Sequence, residues 1–171
     1  MKIVSIFEDN LFAICYGNYA INEFERLMDL WTDVAYLKEF AVQNNVVDVA
    51  QFVEDRLAES DKLQDALDDI MNGHQPLEKY FMPLHNNETG FKILSLQKGK
   101  LSKNKLRIYA IKIDENMFLI TGGAIKMSLE MKDHIGTLEE LKKLNIAQQY
   151  LKTKDVFDND SFFEFLNEEN E

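Results

Sequence analysis

The chain is poor in the residues on which thiol and zinc chemistry depend. It has one cysteine, Cys15, and three histidines, His74, His85 and His134, among 171 residues. A single cysteine forms no internal disulfide, which suits a reducing compartment. It lies in an apolar stretch, so it reads as packed core. The histidines are scattered without metal-ligand spacing, so no metal or other cofactor is expected. No Gly-x-Gly-x-x-Gly and no phosphate loop ending in Lys-Ser or Lys-Thr occurs. No serine sits in a nucleophile-elbow context. Long apolar runs are missing too. The N-terminal KIVSIF is too short for a signal-peptide core and meets Glu8 and Asp9 at once. Nothing approaches the roughly 20 apolar residues of a membrane span. A cytoplasmic protein with no membrane partner is expected. Positive charge is also short: 19 basic against 30 acidic residues give a net charge of −11, which opposes non-specific nucleic-acid binding.

What remains is a well-supplied core. Hydrophobic residues make up 46%, with 12 Phe, and the length suits a single domain over residues 1–171. KIVSIF (2–7) and LFAICY (11–16), separated by Glu8-Asp9-Asn10, predict a hairpin. Helices follow. Asn22 with Glu25 resembles a capping box ahead of Phe24, Leu27, Met28 and Trp31. Asp33 starts a second helix with Val34, Leu37 and Ala41. Asp48 starts a third with Val49, Phe52, Val53 and Leu57, and Leu63, Ala66, Leu67, Ile70 and Met71 form another helical stripe, ended by Asn72-Gly73. The outer positions Glu54, Asp55, Glu59, Asp61, Asp65, Asp68 and Asp69 form an acidic face, either solvated surface or a docking face for a basic partner or a mimic of nucleic acid. Pro76 suits the first turn of a short helix to Tyr80, and Pro83 to Gly90 reads as connection.

The periodicity then changes. FKILSLQK, LRIYAIKI and MFLITGGAIKM, rich in aromatic and β-branched residues, predict strands, with a turn at Asp114-Glu115-Asn116 and a lysine-rich loop from Lys98 to Lys105. Thr137 with Glu140 is another capping-box candidate, followed by a helix stripe of Leu138, Leu141, Leu144, Gln148 and Leu151. Asp158 to Ser161 caps a last helix with Phe162, Phe163, Phe165 and Leu166, and 167–171 reads as a frayed tail. The fold class is α+β.

One segment departs from the acidic average. Residues 89–113 hold Lys92, Lys98, Lys100, Lys103, Lys105, Arg107 and Lys112 and no acid, which leaves 12 basic and 30 acidic residues elsewhere, a balance of −18. In LRIYAIKI, period-2 alternation puts Arg107 and Tyr109 on one face with Ile111 and Ile113. A guanidinium binds phosphate through paired hydrogen bonds, and an aromatic ring stacks on an unpaired base. Lys98 and Lys126, on the flanking strands, can converge on the same face and stabilise transition-state charge. The alternative is a solvated lysine loop with Tyr109 in the core. Docking of the acidic helices on this hairpin would neutralise it within the chain.

ILSLQK (93–98), LRIYAIKI (106–113), FLITGGAIKMSLEM (118–131) and EELKKLNIAQQYLK (139–152) together resemble the RelE/ParE superfamily of toxins, nearest its phage-derived HigB-like branch. The resemblance covers about residues 91–152 and makes the helices at about 33–72 an insert. It implies a small antiparallel sheet with helices on one side. It also implies a type II toxin with a cognate helix-turn-helix antitoxin, and metal-independent cleavage of mRNA on the ribosome. Lys98, Arg107 and Lys126 would then be the catalytic cations, with Tyr109, Lys100, Lys103 and Lys105 binding substrate. The chain departs from the family pattern at Lys126-Met127, where paired lysines are usual, and offers only Tyr150 as a C-terminal acid or base. A gyrase-directed toxin, or an inactive toxin-like binding protein using its acidic helical surface, are the alternatives.

Overall fold

β1 (Lys2–Phe7) and β2 (Leu11–Cys15) form the antiparallel hairpin that the two apolar runs predict. The computed structural model describes residues 1–18, 20–85, 92–128 and 134–170. All five residues of β2 are buried, Cys15 among them. A strand covered on both faces carries a continuous apolar run, and LFAIC is one. β2 joins the main sheet by pairing in parallel with β6 (Met117–Ile125), Leu11 opposite Phe118 and Ala13 opposite Ile120.

The rest of the sheet is β3 (Phe81–Pro83), β4 (Ser95–Gly99) and β5 (Leu106–Asp114), in the order β1-β2-β6-β5-β4-β3. Every pairing except β2–β6 is antiparallel. The fold is α+β, with a six-stranded mixed sheet in place of the small antiparallel one expected, and the N-terminal hairpin is one of its edges. β3 is a strand where the sequence suggests connection. It is outermost, so the N–H that Pro83 lacks removes no ladder bond. β4 begins at Ser95, later than FKILSLQK implies, because Leu94 adopts a left-handed φ of 52° that interrupts extended backbone. Residues 86–91, and with them most of the Pro83–Gly90 connection and Phe91, lie outside the described residues. So do 129–131 of FLITGGAIKMSLEM, and Glu171.

Alternation along β5 divides the core. Leu106, Ile108 and Ala110 face α1 (Glu23–Trp31), α2 (Val34–Gln43) and α3 (Val49–Asn72), packing with Leu27, Trp31, Leu37, Phe52, Leu63 and Leu67. Tyr109, Ile111 and Ile113 face α4 (Ile135–Thr153) and α5 (Asn159–Glu169), packing with Leu144, Leu151 and Phe162. Helices therefore cover both faces, not the one side that the family resemblance implies, because β2, β5 and β6 are apolar on both. Asn22, Asp33 and Asp48 cap α1, α2 and α3 by accepting from the amides of Glu25, Tyr36 and Gln51. Pro76 precedes a 3-10 turn over Leu77–Lys79. Among the described residues no helix is long and apolar enough to cross a membrane.

Two helix ends differ from expectation. Thr137 has the spacing of a cap but lies inside α4, fully buried, its hydroxyl donating to His134 O at 3.1 Å. The cap is His134. Its Nδ1 accepts from Gly136 N–H at 3.2 Å, which puts the ring proton on Nε2, 2.6 Å from Asn44 Oδ1. At α5 Asp158 caps the helix as expected, in a reciprocal capping box with Ser161, but the helix continues to Glu169, through most of the segment read as frayed.

α1 and α4, on opposite faces, meet past the end of β2, where β6 has no strand neighbour. There Glu23, 4% exposed, takes a bidentate pair from Arg26 (3.0 and 2.7 Å) and a contact from Lys143 Nζ at 3.3 Å, and Lys143 also pairs with Glu140 at 3.0 Å. Tyr16 donates to Thr121 O at 2.6 Å beneath the Lys143 ammonium. Two glycines of β6 permit this approach. A Cβ on Gly122 would lie 2.0 Å from Glu140 Oε2, and one on Gly123 would lie 2.5 Å from Arg107 O and 2.7 Å from Leu27 Cδ1. Backbone cannot retreat as a flexible side chain can. Gly123→Ala is therefore expected to cost roughly 1–3 kcal/mol by overpacking, measured as a lowered urea midpoint with an unchanged slope.

Candidate functional site

The antiparallel ladder brings three strand ends together: the C-terminal end of β4, the N-terminal end of β5 and the C-terminal end of β6. Lys98 stands directly opposite Tyr109 on β5, and Tyr109 opposite Gly122 on β6. One step further along, Arg107 stands opposite Ala124. Just past β6, Lys126 N–H donates to Lys105 O at 2.7 Å. The sheet thus gathers Lys98, Lys100, Arg107 and Lys126 at one end, as the alternation predicts for three of them.

Electrostatics express this crowding. Burial first, and then the charges of Lys100, Lys126 and Arg107, hold the Lys98 ammonium below the usual lysine range. Burial likewise lowers the Arg107 guanidinium, against the opposing influence of Tyr109, Tyr80 and Glu59. Arg107 is half-buried, and its Nη1 donates to Asn104 O at 2.5 Å and Leu106 O at 3.0 Å. Lys103, in a left-handed turn at φ 65°, and Lys105 are exposed on the loop between β4 and β5. Lys100, Lys103 and Lys105 make no ion pair among the described residues. The other two cations of the basic segment lie elsewhere. Lys112 is at the far end of β5, paired with Glu78 at 2.8 Å, and Lys92 shares a cleft with it.

Tyr109 is not placed to stack on a base. Its ring is 1% exposed, in the core under α4, and its hydroxyl is buried without a hydrogen-bond partner among the described residues. Burial, opposed by Arg107 and reinforced by Glu140, pushes the phenol up to about 12, so it stays protonated at neutral pH. The strand pattern shows which face Tyr109 shares but not that a helix covers it. Tyr150 packs on Phe165 in the contact between α4 and α5, with the Lys154 ammonium over its ring at 5.7 Å.

Two carboxylates emerge that the sequence does not mark. Glu59, assigned to the outer acidic face, is buried. It pairs with Arg56 at 2.6 Å and accepts from Lys105 N–H at 2.7 Å, so this polar contact of the acidic helix with the basic hairpin goes to a backbone amide and not to a lysine side chain. Glu140, read as the acid of a capping box, lies against Gly122 in the Lys98–Tyr109 row, and burial raises its carboxyl. The only signal for Glu59 is its spacing. It lies seven residues from Phe52 and four from Leu63, on the inward stripe of the helix.

No family model, no curated protein and no solved structure matches this chain.

Removing a buried hydroxyl that has no partner relieves a desolvation penalty of roughly 1–3 kcal/mol, whereas removing the ring opens a cavity costing about 3–5 kcal/mol. Tyr109→Phe should therefore match or exceed wild-type stability in chemical denaturation, and Tyr109→Ala should fall well below it. A large loss in the Phe variant would show that the hydroxyl has a partner in solution.

Proposed function

We propose that this protein acts on RNA as the toxin of a toxin–antitoxin pair, with the cationic strand ends gripping a phosphodiester. The observation that carries the reading is the convergence of Lys98, Lys100, Arg107 and Lys126 at three strand ends, where their like charges oppose one another. An anion with several acceptor oxygens relieves that opposition, and a phosphodiester in the transition state gains more charge for the cations to balance. In the cleavage reaction the 2′-oxygen bonds to phosphorus and the bond to the 5′-oxygen breaks. The 2′-hydroxyl loses a proton and the leaving oxygen gains one. Arg107, Lys126 and Lys98 bear the developing charge, while Lys100, Lys103 and Lys105 hold the flanking phosphates. The RelE/ParE resemblance adds the expectation of metal-independent chemistry, a cognate helix-turn-helix antitoxin and mRNA on the ribosome as target.

The net charge of −11 slows the approach of any polyanion, so binding should be steeply salt-sensitive and confined to this end of the sheet. Inducible expression is expected to arrest growth, with Arg107→Ala and Lys126→Ala each relieving the arrest at equal protein level. RNA affinity should fall with rising salt, and each lysine removed from Lys100, Lys103 or Lys105 should flatten that dependence by about one ion. Normal growth with abundant soluble wild-type protein would overturn the reading. A partner captured only while Glu54, Asp55, Asp61, Asp65, Asp68 and Asp69 keep their charge would favour a binding role for α3, whose outer face carries these exposed acids.

A further inference from the structure

One peptide group at the start of β5 is held at both ends by charged side chains from different parts of the chain. The N–H of the Asn104–Lys105 peptide donates to Glu59 Oε1 at 2.7 Å, and its C=O accepts from Arg107 Nη1 at 2.5 Å. The anion sits at the positive end of the peptide dipole and the cation at the negative end, so each hydrogen bond polarises the group in favour of the other. The second oxygen of Glu59 is taken by Arg56 Nη2 at 2.6 Å, and the Arg56 guanidinium lies over the Phe52 ring at 4.7 Å. Lys105 O, one atom group further on, accepts from Lys126 N–H. Glu59 thus stands behind the backbone that carries Lys105, orients Arg107 and sets where Lys126 leaves β6.

From this geometry we infer that Glu59 is a positioning residue for the cationic site: through the Asn104–Lys105 peptide it holds Arg107 where it can meet a phosphate. This rests on the proposed function for its substrate, but not for its geometry. A stabilising role alone accounts poorly for the arrangement. A buried ion pair contributes little beyond what apolar residues of the same size supply, so Arg56 and Glu59 are a costly way to seat α3 on the sheet. What an apolar pair cannot supply is an acceptor for the Lys105 amide.

The test uses two double variants of the full chain. Arg56→Met with Glu59→Gln removes the ion pair but keeps a carbonyl oxygen for Lys105 N–H. Arg56→Met with Glu59→Met removes both at similar volume. The readouts are thermal unfolding, exchange of the Lys105 amide, the Arg107 Nε–H resonance, and cleavage of a short single-stranded RNA. In the Met/Met protein, unfolding should stay near that of the Met/Gln protein while the Lys105 amide exchanges freely and the Arg107 signal collapses to the position of a mobile guanidinium. Its RNA cleavage should fall by about 100-fold, the loss that a roughly 1 Å misplacement of a reacting group brings. The Met/Gln protein should recover protection, the Arg107 signal and most of the cleavage. An Arg107 signal that stays wild-type in the Met/Met protein overturns the inference, whatever the RNA result. Wild-type protein that neither binds nor cleaves RNA overturns the proposed function instead, and leaves the Arg107 signal to decide the role of Glu59.

Discussion

A strand that is apolar on both sides must be covered on both, and β2, β5 and β6 are all of this kind. This requirement sets most of the architecture. It draws the N-terminal hairpin into the sheet through the parallel β2–β6 pairing and places α1, α2 and α3 on one face and α4 and α5 on the other. It also dictates where charge can sit. With both faces occupied, the strand ends are what remain for the basic residues of the hairpin, and antiparallel pairing brings the ends of β4, β5 and β6 together.

Two charged clusters, each built on a buried glutamate, fasten these layers, and they do different work. Glu23, Arg26, Glu140 and Lys143 join α1 to α4 around the flank of β6 that β2 leaves open. Two acids and two bases balance there, which lowers the cost of enclosing them. Arg56 and Glu59 join α3 to the start of β5, and here the carboxylate reaches past its ion pair to a backbone amide. The first cluster closes the fold around a strand edge. The second ties an acidic helix to the end of the sheet where Lys98, Lys100, Arg107 and Lys126 gather, so the long helical segment is mechanically part of that end.

Features that depend on neighbours in sequence were legible. Asn22, Asp33, Asp48 and Asp158 cap their helices because each needs only the amide three residues on. The alternation in LRIYAIKI correctly put Arg107 and Tyr109 on one face, and the register brings Lys98 and Lys126 to their end of the sheet. Where a local pattern met a distant partner, the pattern misled. Thr137 and Glu140 have cap spacing, yet Glu140 packs closely over Gly122 and pairs with Lys143, and His134 supplies the cap. Glu59 resembles the solvated acids beside it, yet one of its two partners, the Lys105 amide, lies 46 residues away.

Charge content, the class of each major element and the sharing of strand faces follow from the amino-acid order alone, because they rest on hydrogen bonds and periodicities that close within a few residues. The mixed sheet, the burial of Tyr109 and the turn of Glu59 toward Lys105 belong to the tertiary structure. Each depends on which surface arrives to cover a residue, and that is settled by packing between segments tens of residues apart, where no local periodicity carries the information.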